Sequence, residues 1–251
     1  MTMNKYFLLT LACLFILTSS CVNTEVGTEY PVSWTSQYTM ASLLDDAIII
    51  KEQNDLKNAI NASWYAEVDI ITDENESSEI TPLSSCKDYF SKATSHTTTL
   101  REYETGPFLL LAKMCRATEL LLHANPSKYS YISNNFLNKS TPHIFPSEIA
   151  FQISTGEAEK NAKDKSKHYW ADINQNLQFE AISETQSKFF DDGGSQIIDL
   201  IGRGDFNADG IEDILISSRD SVEDGDYFNL RLFSLSVNEK REWRLIREYQ
   251  Y

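Results

Sequence analysis

Gly204-Asp205-Phe206-Asn207-Ala208-Asp209-Gly210-Ile211-Glu212-Asp213 is the stretch from which the fold can be read. With Asp205 counted as position one, oxygen-bearing side chains fall at positions one, three, five and nine, and a glycine stands at six. A hard cation such as Ca²⁺ takes six to eight oxygen ligands at short range. Asp205, Asn207, Asp209 and Asp213 offer side-chain oxygens, and the Ile211 carbonyl is placed to add another. Gly210 admits the positive φ that a sharp turn around an ion requires. The competing reading is a metal-free acidic turn, in which three neighbouring carboxylates repel one another.

The flanks are β-rich. Residues 197–201 precede the loop and 214–217 follow it, both dominated by isoleucine and leucine. Further short β-like runs cover 177–182, 186–190, 227–237 and 242–251. Asp191-Asp192-Gly193-Gly194 and the acidic stretch at 223–226 supply turns between them. Ile149, Phe151 and Ile153 alternate with polar residues and predict a strand soon after Pro146. Residues 156–167 are charged and read as either a solvated helix or a loop. The region 146–251 is therefore expected to be an antiparallel β-meander.

The loop and its flanks resemble the calcium loop of FG-GAP and VCBS repeats, the blades of integrin-α-like propellers. The resemblance implies a cation held by Asp205, Asn207, Asp209, Asp213 and the Ile211 carbonyl, in a loop joining two antiparallel strands. It covers about 25 residues and occurs once, whereas a propeller needs several blades. A single calcium-stapled hairpin in a small sheet is the expectation. An EF-hand would need a bidentate glutamate at position twelve, where Ile216 stands, and helical flanks.

The preceding region, 39–145, reads as mainly helical. Leu43, Leu44, Ala47, Ile48, Leu56, Ala59 and Ile60 recur at three- and four-residue spacing across 42–64. Ser42 and Asp45 have the spacing of a capping box. A short helix is expected over 85–93. Thr105-Gly106-Pro107 then opens a longer one over 108–124, stopped by Asn125 and Pro126. Another short helix is expected over 129–137. The fold class is thus α+β, helical first and β second.

Lys5 and an apolar run of about twelve residues, 6–17, form an export signal, too short for the roughly 20 residues a bilayer span needs. Thr18-Ser19-Ser20-Cys21 follows. It resembles the lipobox of bacterial lipoproteins, which implies removal of residues 1–20, lipidation of Cys21 and a tether over 21–38. Val22 after the cysteine implies sorting to the outer membrane, facing the periplasm. A plain secreted protein is the alternative.

Four cysteines are present, and on the lipobox resemblance Cys13 would leave with the signal and Cys21 would take the lipid. Cys86 and Cys115 remain, an even number in an oxidising compartment, and a bridge between them is expected. Two buried free thiols are the alternative.

The formal charge is -15. Removing residues 1–20 takes one lysine and no acid, which leaves one more net negative charge. Such a surface repels nucleic acid and suits cations or basic partners. No GxSxG, HExxH, phosphate loop or CxxC occurs, and His96, His123, His143 and His168 lack zinc spacing. Arg203-Gly204-Asp205 spells an integrin-ligand tripeptide, but Asp205 is already the first ion ligand. The expectation is a non-catalytic, calcium-binding envelope lipoprotein that binds another envelope component. The alternative is an immunity or inhibitor lipoprotein that neutralises a basic toxin or hydrolase.

Overall fold

A computed structural model describes residues 29–35, 43–72, 80–152, 154–222, 225 and 227–251. The leader, Cys21 and Ser42 lie outside the described residues, so the lipobox and the expected cap have no structural account.

The chain has α+β architecture. Its elements run β1 (Ser33–Trp34), α1 (Leu56–Asn61), β2 (Val68–Ile71), β3 (Ile80–Leu83), α2 (Cys86–Lys92), β4 (Thr98–Thr99) and α3 (Thr105–His123). Then come α4 (Thr155–Lys163), β5 (Gln178–Ala181), β6 (Gln186–Phe190), β7 (Gly194–Gly204), β8 (Asp213–Val222), β9 (Phe228–Val237) and β10 (Trp243–Tyr249). Among the described residues, β5 to β10 form an antiparallel meander in sequence order, and β1 adds to β7. A second sheet has the order β3-β2-β4.

The large sheet is covered on both faces, because its central strands are apolar on both. Ile214 and Ile216 of β8 pack with Phe233 and Leu235 of β9 on one side. Leu215 and Leu232, from the alternate positions, pack with Ala117 and Leu121 of α3 on the other. Alternation sends successive side chains to opposite faces. A continuous apolar run such as Ile214-Leu215-Ile216 therefore needs two covers. The first cover is α3 with Leu56 of α1. The second is the irregular segment that carries Phe136, Phe145, Ile149 and Trp170, all buried against the sheet.

Several local expectations change in the structure. Residues 42–64 do not form one helix: within the described part only a 3-10 turn at Gln53–Asp55 and the short α1 appear. Ile48-Ile49-Ile50 places three β-branched residues in succession, which lose side-chain freedom in a helix. Leu44 instead bridges Trp64 across the segment. Val68 and Ile70 alternate inward in β2, so a small sheet stands within the region expected to be mainly helical. No helix forms over 129–137; its first residue, Tyr129, bridges Ile211 of the hairpin loop instead. The strand expected at 149–153 is a 3-10 turn, Ser147–Ile149, followed by extended residues. Its carbonyls are satisfied by side chains: Arg231 donates to those of Glu148, Ile149 and Ala150, and Gln196 to that of Ile149.

Sequence chemistry explains the helix starts. Ser85 caps α2 by accepting from the Asp88 N–H, and Ser154 caps α4 by accepting from that of Glu157. A side-chain oxygen there satisfies an N–H that has no partner within the helix. Pro107 falls in the first turn of α3, where its missing N–H costs nothing. Cys86 at the start of α2 forms a disulfide with Cys115 in the middle of α3. Both are fully buried in a cluster with Tyr89, Phe108 and Leu111. No helix among the described residues is long and apolar enough to cross a membrane.

Close backbone approach ties the early chain to the sheet. Ser33 pairs with Arg203 and Trp34 with Gly202. A Cβ on Gly202 would lie 2.4 Å from the Ser33 carbonyl oxygen and 2.6 Å from Leu121 Cδ2. Glycine is thus required where β1 and α3 both close on β7. Residues 30–35 are accordingly part of the fold, so any free tether ends before them.

Candidate metal centre

The loop of residues 205–212 joins β7 to β8, whose last pair is Gly204 with Asp213. Short Asx side chains fold it locally, each bonding a backbone N–H two or more residues on. Asp205, nearly buried, is the hub. Its Oδ1 accepts from the N–H groups of Asn207 at 3.3 Å and Asp209 at 3.2 Å, and its Oδ2 from Gly210 at 2.8 Å. Asn207 Oδ1 accepts from the Asp209 N–H at 3.0 Å, and Asp209 Oδ1 from the Ile211 N–H at 2.8 Å. The chain coils inward around the carboxylates as a result. Gly210 takes φ +82° as the turn requires. Ala208 also takes φ 63°, which the sequence did not announce. That costs an L-residue with a Cβ about 1 to 2 kcal/mol.

Asp213 reaches back from the start of β8. Its Oδ2 accepts from the Phe206 N–H at 3.0 Å, while its Oδ1 has no hydrogen-bond partner although the residue is fully buried. Burial pushes this carboxyl up to about 7, the Ser236 hydroxyl and Phe206 N–H oppose the rise, and the charges of Asp209 and Asp205 add to it. An orphaned carboxylate oxygen in a dry pocket ordinarily costs several kcal/mol. A bound cation inverts that balance by favouring the ionised form.

The structure therefore brings Asp205, Asn207, Asp209, Ile211 and Asp213 into one loop, without closing them around a point. Among the described residues, no three His, Cys, Asp or Glu side chains form a ready metal cluster. Asp205 and Asp209 direct oxygens at N–H groups within the loop, and Arg244 of β10 donates to Asp209 Oδ2 at 3.0 Å. The donor set is nonetheless all oxygen, as Ca²⁺ prefers. The unpartnered Asp213 oxygen belongs to one of the five expected ligands.

A strap of residues 125–129 supports the loop. Asn125 and Asp205 exchange backbone hydrogen bonds, and the Gly210 carbonyl accepts from the N–H groups of Lys128 and Tyr129. The Glu212 N–H donates to the Tyr129 carbonyl. This ladder uses the Gly210 carbonyl and Glu212 N–H, leaving the Ile211 N–H on the loop side with Asp209. Glu212, Ser130 and Arg244 escaped the sequence reading. Glu212 is buried and accepts from Ser130 at 2.5 Å, with Arg203 3.9 Å away. Their partners are remote in sequence, so no local spacing signals them. Asp205 is buried, so the Arg203-Gly204-Asp205 tripeptide is not presented at the surface.

Comparison with family models, with curated proteins and with solved structures finds no match for this chain.

Proposed function

We propose that this chain is a non-catalytic cell-envelope lipoprotein whose hairpin loop binds Ca²⁺ and which docks onto another envelope component. The observation that carries the metal reading is the fully buried Asp213, with one carboxylate oxygen lacking a partner at a position expected to ligate. Asp205, Asn207, Asp209, Asp213 and the Ile211 carbonyl would hold the ion. It would supply structural stabilisation of the β7–β8 hairpin. The loop's likeness to FG-GAP and VCBS repeats and the net charge of -15 support the same reading. The lipobox-like Thr18-Ser19-Ser20-Cys21 is the ground for a lipid anchor at Cys21 and an outer-membrane position facing the periplasm.

Calorimetric melting with millimolar calcium and with chelator tests the loop. At about 100 times the dissociation constant, binding to the folded state adds roughly 2.7 kcal/mol. Asp209→Ala and Asp213→Asn should abolish that gain, and Mg²⁺ should give less because it demands tight octahedral geometry. Equal midpoints with calcium and chelator would leave the loop as a plain acidic turn.

The strong negative charge also favours a second reading, an inhibitor lipoprotein that captures a basic toxin or hydrolase by electrostatic steering. Pull-down from periplasmic extract separates the two readings. A basic enzyme as the main captured protein supports the inhibitor, and an envelope-assembly component supports the first reading.

A further inference from the structure

Away from the hairpin loop, a cavity of about 510 Å³ opens between α3 and the large sheet. Leu43, Tyr65, Pro107, Leu110 and Phe228 form its apolar walls. Tyr65, Leu110 and Phe228 remain exposed there, although large apolar side chains usually seek burial. Its floor is polar. Lys113 lies on the sheet-facing side of α3, Asp199 comes from β7, and Arg219 from β8. In a chain of net charge -15, this cleft gathers two cations against one carboxylate.

Lys113 is 4% exposed, among the most buried charged side chains in the molecule. An ammonium has three donors. Lys113 donates a long hydrogen bond of 3.4 Å to Ser217 Oγ. Burial pushes its ammonium down to about 8, against the pull of Asp199 and with a smaller push from Arg219. A buried cation lining an apolar-walled cavity matches what pockets for small ligands provide: apolar walls and a few placed polar groups.

We infer that this cleft binds a small amphiphile with one anionic head group, a carboxylate, its apolar body lying along Leu110, Pro107 and Phe228. Lys113 contacts the head from the floor and Arg219 from the rim. The carboxylate gives the ammonium a charge-assisted hydrogen bond, the stronger kind. Asp199 and Ser217 hold Lys113 in place, and Asp199 keeps the site from accepting dianions readily. The inference is independent of the calcium reading.

The test is calorimetric titration of the purified full-length protein, in chelator, with octanoate and with 1-octanol. Octanoate should bind at least about ten-fold more tightly than the alcohol, equivalent to roughly 1.4 kcal/mol. Arg219→Gln, at an exposed position, should keep the thermal midpoint and weaken octanoate several-fold. Lys113→Met should lower octanoate affinity about ten-fold, towards that of octanol, while leaving octanol binding in place, a result that also shows the variant is folded. Equal affinities for acid and alcohol would reduce the cleft to an apolar sink and overturn the inference. So would octanoate binding unchanged in both variants, or no binding at about 5 mM, a concentration that detects millimolar dissociation constants.

Discussion

Replacing Cys86 and Cys115 together by alanine removes the one covalent link between α2 and α3 among the described residues. The bridged residues are 29 apart. In the chain-entropy relation, a loop of that length restrains the unfolded chain by about 12 cal/mol/K, or about 3.6 kcal/mol at 25 °C. Both sulfurs are fully buried beside Tyr89 and Phe108, so their loss also leaves a void costing about 1 kcal/mol. The total is about 4 to 5 kcal/mol, which for a chain of this size lowers the melting midpoint by roughly 10 to 18 °C. Urea unfolding of the wild type, with and without reductant, and of the double variant measures it. The reduced forms should also show a steeper denaturant dependence, because their unfolded state exposes more surface. Alkylation in denaturant without reductant should find both wild-type thiols blocked. A loss under about 1 kcal/mol in the double variant, or two freely alkylated thiols, would refute the reasoning.

Three further outcomes follow from the packing. Arg231→Met should cost about 3 to 5 kcal/mol in urea unfolding, because it strands the fully buried Asp220, 3.0 Å from the guanidinium, and three carbonyls at residues 148–150. Ala208→Gly should raise stability by about 1 kcal/mol in chelator by relieving the left-handed strain. For Lys113, the fall from 10.5 to about 8 means the unfolded chain holds a proton through pH 8 to 10.5 that the folded chain has released. Stability should therefore rise across that window, by roughly 3 kcal/mol relative to Lys113→Met. Urea midpoints of the two proteins at pH 7 and pH 10 check the sign.

The parts legible in the sequence are those whose cause is local. The hairpin loop could be placed because every expected ligand lies within nine consecutive residues, and Asx spacing and Gly210 act on adjacent backbone. The meander could be placed because alternation and turns such as Asp191-Asp192-Gly193-Gly194 are likewise local. Lys113 was hidden by its helical apolar neighbourhood, where a lysine ordinarily points to water. Its burial depends on Ser217, 104 residues on. A helix was expected over 129–137, yet the backbone partners of its first residue, Tyr129, are Gly210 and Glu212, some eighty residues away. Ile149, Phe151 and Ile153 alternate like a strand, but Arg231 and Gln196 take over carbonyls at 149 and 150 that a neighbouring strand would have used. Partners remote in sequence decided each of these segments, and periodicity cannot register them.

The pairing of β1 with β7 has a consequence for the order of assembly. Thr35 bonds the Ile201 carbonyl at 2.9 Å across 166 residues of chain. At 5 to 20 residues per second, Ser33 and Trp34 wait roughly 10 to 30 s after synthesis before their partner strand exists. Through that interval the intervening helices can fold locally, while Trp34 and its neighbours have no partner on β7. Closing so long a loop carries a high entropic cost, which makes the contact late. A chaperone that holds the growing chain thus meets it with β1 still open, and among the described residues this edge of the sheet is sealed last.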